Sequence, residues 1–196
     1  MTRALRPLAF SILGLIASLA IAPRLRAAQD IRIDFDPQKT TIEFTLGASM
    51  HEVHGLFHLR SGSIRFDRQS GAASGSLIVE AGSGDSGNES RDSKMKRDIL
   101  ETPRFPEIVF TPKSVIGSVP EQGSATVQVR GIFRIHGVDH ELTLIVSLKV
   151  TGSTFALTTK FPVPYVAWGM KDPSAFILRV GKQVDVTVKA AGQVSP

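Results

Sequence analysis

The stretch ELTLIVSLKV, residues 141–150, decides the fold. Its aliphatic side chains recur at every second position, at Leu142, Leu144, Val146, Leu148 and Val150. Successive side chains on a β-strand point to opposite faces, so this period of two places the aliphatic set on one face and leaves a wetter face opposite. The stretch therefore predicts a half-buried antiparallel strand.

The same period occurs in other parts of the chain. Ile42, Phe44 and Leu46 alternate with threonine and glutamate, and Ile64 and Phe66 alternate with serine, arginine and aspartate. Shorter apolar runs bounded by Gly, Pro, Asn and Asp signals occupy residues 77–80, 108–110, 126–130, 155–161 and 184–188. Together these segments predict about eight strands.

One segment departs from the strand pattern. Residues 90–100 are mostly strong helix formers, and Met95 and Ile99 lie four positions apart, on one side of a helix. Pro103 and Pro106 prevent the helix from continuing. The segment predicts one short helix inserted between strands.

Many antiparallel strands with so little helix to cover them indicate an all-β protein, either a sandwich or a closed barrel. A barrel of about eight strands can be filled by its own side chains or can hold one small ligand. The chain has 11 phenylalanines but one tryptophan and one tyrosine. Such an apolar interior suits a hydrocarbon ligand and a packed core equally well, and composition does not choose between them.

The first 27 residues have the composition of a secretory signal peptide. Arg3 and Arg6 precede a 15-residue apolar run, residues 8–22, which is short for a membrane-spanning helix of about 20 residues. We expect cleavage after Ala27, a barrel domain over residues 28–196, and a periplasmic or secreted protein. An uncleaved anchor is the alternative.

Removal of this leader also changes the charge. Four of the 23 basic residues and none of the 18 acidic ones lie in it, which leaves 19 basic against 18 acidic residues. A mature protein with so small an excess has no general basic field, so we expect no nucleic-acid partner.

The chain offers little for catalysis. It has no cysteine, which excludes disulfides, thiolate metal sites and cysteine nucleophiles. On a strand His54 and His58 would stand about 13 Å apart, too far to share one zinc ion. His51 and His54 are three positions apart, whereas the helical zinc motif His-Glu-x-x-His needs two histidines four positions apart. His136 and His140 flank a predicted turn and would form at best a weak metal site. We expect no enzyme activity, no metal and no cofactor.

Five blocks of sequence carry a resemblance to a known family. They are VHGLF (53–57), GSIRFD (62–67), the glycine-rich loop and helix at 81–100, RFPEIVF (104–110) and VRGIFRIHGV (129–138). In order and spacing they resemble the YceI-like family of exported bacterial proteins over nearly the whole mature chain. The resemblance implies an extended, lipocalin-like antiparallel β-barrel with one inserted helix.

The same resemblance implies an internal apolar channel that binds a polyisoprenoid or a similar long amphiphile. By position, Arg91 and Asp92 correspond to the family's Arg-Asp pair at the start of the inserted helix, and Phe105 and Phe110 lie in its Phe/Tyr-Pro-x-Ile-x-Phe strand. An Asp and an Arg at a helix start can equally cap the helix or form a local ion pair. For the aliphatic residues and phenylalanines that face inward, the alternative is an ordinary core.

The hypothesis is therefore a non-enzymatic, exported carrier of a polyisoprenoid lipid or isoprenoid quinone. Transient contact with a membrane and a homodimer are compatible with this role. The alternative is a stress-response module that binds a protein partner and has a fully packed barrel. The candidate ligand-contacting residues are Ile42, Phe44, Leu46, Phe57, Ile64, Phe66, Arg91, Asp92, Met95, Ile99, Phe105, Phe110, Leu144, Val146, Leu148, Tyr165 and Trp168.

Overall fold

The structure, a computed structural model, describes residues 30–49, 52–174 and 179–195. The described strands are β1 (Asp30–Phe35), β2 (Thr41–Ala48), β3 (Val53–Phe57), β4 (Leu59–Asp67), β5 (Ala73–Glu80), β6 (Glu107–Ile116), β7 (Gly123–Ile135), β8 (Val138–Thr151), β9 (Thr154–Val163) and β10 (Val180–Ser195). One α-helix, α1 (Glu89–Lys94), continues into a π-helical turn at Met95–Ile99, and short 3-10 turns occupy Pro37–Lys39 and Ala81–Ser83.

The strands form one antiparallel sheet that closes on itself. Along one edge β10 pairs with β9, and along the other it pairs first with β2 and then, near its end, with β1. β1 and β2 thus act as one interrupted strand, and β3 and β4 act as another, separated only by His58. The barrel therefore has eight strand positions around its circumference, and the prediction of a closed antiparallel barrel of about eight strands is confirmed.

The interruption between β1 and β2 has a local cause. Asp36 accepts a hydrogen bond from the backbone N–H of Gln38, and Thr40 donates its hydroxyl proton to the Asp36 carbonyl. Pro37 follows and has no N–H to contribute to a sheet ladder. These contacts bend the chain, so that it leaves β10 opposite Gly192 and returns to it opposite Lys189.

The period of two in residues 141–150 matches the two faces of β8. Leu144, Val146 and Val150 are buried inside the barrel, whereas Ile145 points outward and is 52% exposed. The interior is occupied by two groups of apolar residues, a larger one around Phe133, Val146 and Phe161 and a smaller one around Phe35 and Phe155. The barrel thus encloses an almost wholly apolar space.

The predicted helix is present and lies between β5 and β6. Asn88 caps it by accepting a hydrogen bond from the Arg91 backbone N–H. Its second half differs from the prediction, because the N–H of Leu100 bonds to the carbonyl of Met95, five residues back, in a π-helical turn. This wider turn places Met95, Ile99 and Leu100 all against the barrel interior.

The two ends of the barrel are distinct. At the upper end lie α1, the turn between β7 and β8, and the described part of the segment between β9 and β10. At the lower end lie three hairpin loops, residues 68–72, 117–122 and 152–153, together with the start of β1 and the end of β10. No helix among the described residues is long and apolar enough to cross a membrane. The predicted signal peptide lies outside the described residues.

Gly71 joins the first of the lower loops to the end of β6. Its φ is +74°, and a Cβ placed there would lie 2.6 Å from the carbonyl oxygen of Val115. The same close approach allows the Val115 backbone N–H to donate to the Gly71 carbonyl at 2.8 Å. Only glycine combines this backbone conformation with this proximity.

We predict that Gly71→Ala lowers the free energy of unfolding by about 2 kcal/mol or more, because it adds a backbone clash to the cost of a positive φ. Gly87→Ala is the matched control: Gly87 has the same φ of +74° but nothing within 4 Å of its Cβ position. It should cost only about 1 kcal/mol. Urea unfolding of both variants measures the difference, and equal losses would contradict the contact with Val115.

Candidate ligand-binding cavity

An apolar cavity of about 630 Å³ occupies the inside of the barrel. Residues from all ten strands line it, and Met95, Ile99 and Leu100 close over it at the upper end. Small-molecule sites have volumes of about 300–1,000 Å³ and mostly apolar walls with a few polar groups. The interior is therefore large enough for a ligand and has the wall chemistry of a site for a hydrocarbon chain.

Most residues of the sequence-based candidate set lie on the wall of this cavity. They are Ile42, Phe44, Leu46, Phe57, Ile64, Phe66, Arg91, Met95, Ile99, Phe110, Leu144, Val146, Leu148 and Tyr165. Three candidates do not line it: Asp92, Phe105 and Trp168. Contact of any of these residues with a ligand stays a prediction.

Asp92 is held in a network that fixes the start of α1. Its carboxylate accepts hydrogen bonds from the backbone N–H of Ser86 at 3.0 and 3.1 Å and from the Ser86 hydroxyl. Burial raises its pKa, but these bonds, with Lys96 and Arg91 nearby, outweigh burial and hold the pKa below its usual value. The carboxylate is thus used by the protein itself.

Arg91 belongs to the same network although it also reaches the cavity wall. Its Nε donates to the Ser86 hydroxyl at 2.7 Å, and its Nη2 donates to the Ser86 carbonyl at 2.7 Å. Ser86 therefore links the two members of the Arg-Asp pair. This arrangement supports the alternative in which the pair stabilises the helix start.

Phe105 and Trp168 pack instead against histidines near the upper turn. Phe105 meets the ring of His136 edge-on at 4.7 Å, and Trp168 stacks in parallel on His140 at 4.0 Å. Burial lowers the pKa of His140, while Asp139 acts in the opposite direction. Neither Phe105 nor Trp168 lines the cavity, but Trp168 also packs at a tilt against Phe133, which does, with 5.9 Å between the ring centroids.

Tyr165 lies where the chain folds inward after β9. Its hydroxyl donates to the carbonyl of Gly181 at 2.7 Å, and burial raises its pKa to about 12. Met170 is buried beside it on the cavity wall, and its backbone N–H bonds to the Tyr165 carbonyl. Residues 165–170 thus form a turn that narrows the upper end of the cavity.

Seven polar residues on the described cavity wall were absent from the candidate set, among them Thr159 and Arg68. Thr159 lies on β9, is only 5% exposed, and its hydroxyl has no hydrogen-bond partner among the described residues. Alternation from Phe155 would have placed it inside. Arg68 lies in a loop at the lower end, where no period exists to indicate its direction.

The histidines do not gather into a metal site within the described residues, where no three His, Cys, Asp or Glu side chains cluster. His54 is exposed and its ring lies 3.1 Å from the Thr45 hydroxyl. His51 lies outside the described residues.

A closed antiparallel barrel of eight strand positions around an apolar cavity, with one helix at its upper end, defines a lipocalin-like architecture. A family model described as the YceI-like domain matches residues 34–191. The chain belongs to this family, as its sequence resemblance indicated.

Solved structures share this fold at low sequence identity. BcnA of Burkholderia cenocepacia is 18% identical, with a TM-score of 0.67 over 82% of this chain and 100% of its own. A polyisoprenoid-binding domain from Saccharophagus degradans is 11% identical, with a TM-score of 0.62 over 83% of this chain and 98% of its own. A YceI protein of Campylobacter jejuni is 14% identical, with a TM-score of 0.52 over 68% and 80%. A search of curated protein sequences finds no significant match.

We predict that Thr159→Val leaves the ligand-free barrel equally stable or stabilises it by up to about 1 kcal/mol. The substitution keeps the side-chain volume nearly constant and removes a buried hydroxyl that has no hydrogen-bond partner among the described residues. Thr158→Val, on the outward face of the same strand, is the control and should stay within about 0.5 kcal/mol of the parent. Thermal unfolding measures both. A loss above about 1 kcal/mol for Thr159→Val would mean that the hydroxyl is hydrogen-bonded.

Proposed function

We propose that this protein is a non-catalytic carrier that encloses the chain of a polyisoprenoid lipid or isoprenoid quinone in its barrel. The observation that carries the proposal is the cavity of about 630 Å³ with its aliphatic and phenylalanine wall. The fold it shares with the polyisoprenoid-binding domain of Saccharophagus degradans supports the same ligand class.

The wall is suited to binding by the hydrophobic effect. Each methylene group removed from water contributes about 0.8 kcal/mol before the costs of ordering the ligand are subtracted. An elongated chain can contact residues from Ile31 near the lower end to Val163 near the upper end. Recognition by such a wall needs length and flexibility in the ligand and few directed polar contacts.

The proposal includes export. The composition of residues 1–27 supports a signal peptide and a periplasmic or secreted barrel. A carrier of a water-insoluble lipid has to collect it from a membrane, so transient membrane contact is part of this role.

The cavity also bears on the two hypotheses that composition left open. A module that only binds proteins through its loops needs no internal space, and a packed core has few voids larger than a water molecule. The open volume between Phe44, Leu144 and Phe161 therefore favours the carrier.

Protein purified without detergent should retain a lipid that organic solvent extracts. We expect native mass spectrometry to show an added mass at a ratio of one per chain, and mass spectrometry of the extract to show an isoprenoid series. Protein that is folded, carries no added mass and takes up no polyisoprenoid from vesicles would contradict the proposal and favour the protein-binding module.

Filling the cavity tests the same proposal by mutation. Leu144→Trp should lower polyisoprenoid uptake at least tenfold while the melting temperature of the ligand-free protein stays level or rises, because Leu144 is on the cavity wall. Ile145→Trp places the same side chain on the outer face and should leave uptake unchanged. In a filled core Leu144→Trp would instead cost about 1–3 kcal/mol of stability, which is the contrary result.

A further inference from the structure

Arg68 places a positive charge on the wall of the cavity at its lower end, opposite α1. The surrounding wall there is apolar and includes Phe66, Val115 and Val119. The Arg68 side chain is 22% exposed, so the guanidinium lies between the cavity and solvent. A charged group in this position is unusual for an interior whose wall consists mostly of aliphatic residues and phenylalanine.

The protein supplies hydrogen-bond acceptors for only some of the N–H groups of this guanidinium. Its Nη1 donates to the exposed carboxylate of Glu121 at 3.2 Å, and its Nη2 donates to the carbonyl of Pro120 at a long 3.5 Å. Its Nε is buried and has no hydrogen-bond partner among the described residues. An unsatisfied buried donor on a charged group is costly, so the site favours an acceptor.

The backbone around Arg68 is held in place. Asp67 accepts hydrogen bonds from the backbone N–H groups of Gln69 and Ser70, both at 2.7 Å. Gly71 then bonds to Val115, which ties the hairpin to β6. The guanidinium is therefore presented from a fixed loop, and its planar donors match the geometry of carboxylate and phosphate groups.

Among the residues that the structure describes, the upper end of the cavity has no comparable group. Arg91 gives its Nε and Nη2 protons to Ser86, and Lys94 is an exposed point charge on α1. Of the three cations on the described cavity wall, Arg68 alone combines a fixed loop with a buried donor that lacks a partner.

We propose that Arg68 binds the anionic head group, a carboxylate or phosphate, of an amphiphile whose apolar chain occupies the cavity. The ligand then lies with its polar end at the three lower hairpins and its chain directed towards Met95 and Ile99. This inference rests on the proposed carrier function and adds to it the charge and the orientation of the ligand.

Farnesyl phosphate and farnesol are suitable probes, because they share one chain and differ only in the phosphate. We expect the parent protein to bind farnesyl phosphate at least tenfold more tightly than farnesol in a titration. Arg68→Met should bring this ratio close to one while farnesol binding persists, since methionine keeps much of the apolar stem without the charge. Lys94→Met is the matched control on the upper wall and should keep the ratio.

Glu121→Gln provides a second test that leaves Arg68 intact. Removing the competing carboxylate should tighten farnesyl phosphate binding severalfold and leave farnesol binding unchanged. This exposed loop position is not part of the cavity wall, so the test remains available if Arg68→Met fails to fold. Unchanged affinity for farnesyl phosphate in Glu121→Gln would contradict the assignment.

Other outcomes would overturn the inference in recognisable ways. If Arg68→Met keeps the preference for farnesyl phosphate over farnesol, or if Lys94→Met loses it instead, the head group binds elsewhere. Inorganic phosphate that binds as tightly as farnesyl phosphate would indicate an anion site independent of the chain. If the parent protein binds farnesol and farnesyl phosphate equally well, the role of Arg68 is refuted but the carrier function is not. If the parent protein binds neither probe, both the role of Arg68 and the carrier function are refuted.

Discussion

The hydrogen bonds between β1 and β10 are the constraint on which the rest of the structure depends. They pair Phe35 with Gly192 and close the sheet into a ring, so that the barrel wall has no free edge there. Gly192 makes this pairing possible, because a Cβ at its position would lie 2.0 Å from the carbonyl oxygen of Asp34. With the ring closed at eight positions, alternate side chains of every strand must point into a shared interior.

Closure also explains why the ends of the barrel carry the polar chemistry. A wall of paired strands satisfies its own backbone, and its inner face can be wholly apolar, but the ends are formed by loops with polar groups of their own. At the upper end Ser86 joins Arg91 to Asp92, and Tyr165 binds the Gly181 carbonyl. At the lower end Asp67 and Arg68 bind neighbouring loop atoms. Differences between carriers of this architecture are therefore expected at the ends more than in the wall.

Much of the wall could be predicted from the sequence, because a strand with one dry face has a period that the residues themselves display. Leu144 and Val146 follow that period and lie inside. Loops and turns contain Phe105, Trp168 and Arg68. There the direction of a side chain depends on tertiary contacts, and the sequence has no period that would indicate it. The sequence predicted only residues 184–188 of β10. The Gly, Ala and Gln positions of this strand show no apolar pattern, and they adopt strand conformation because they pair with β1, β2 and β9.

The pairing of Arg32 with Ser195 brings the beginning of β1 and the end of β10 together at the lower end. The two points at which another molecule could be joined to the barrel therefore lie at the same end, opposite α1. A protein joined directly to the start of β1 or to the end of β10, or a surface attached at either point, would adjoin the lower hairpins and leave α1 pointing away. Immobilised in this way, every copy would present the same helix-bearing face to the solution, whichever of the two attachment points is used.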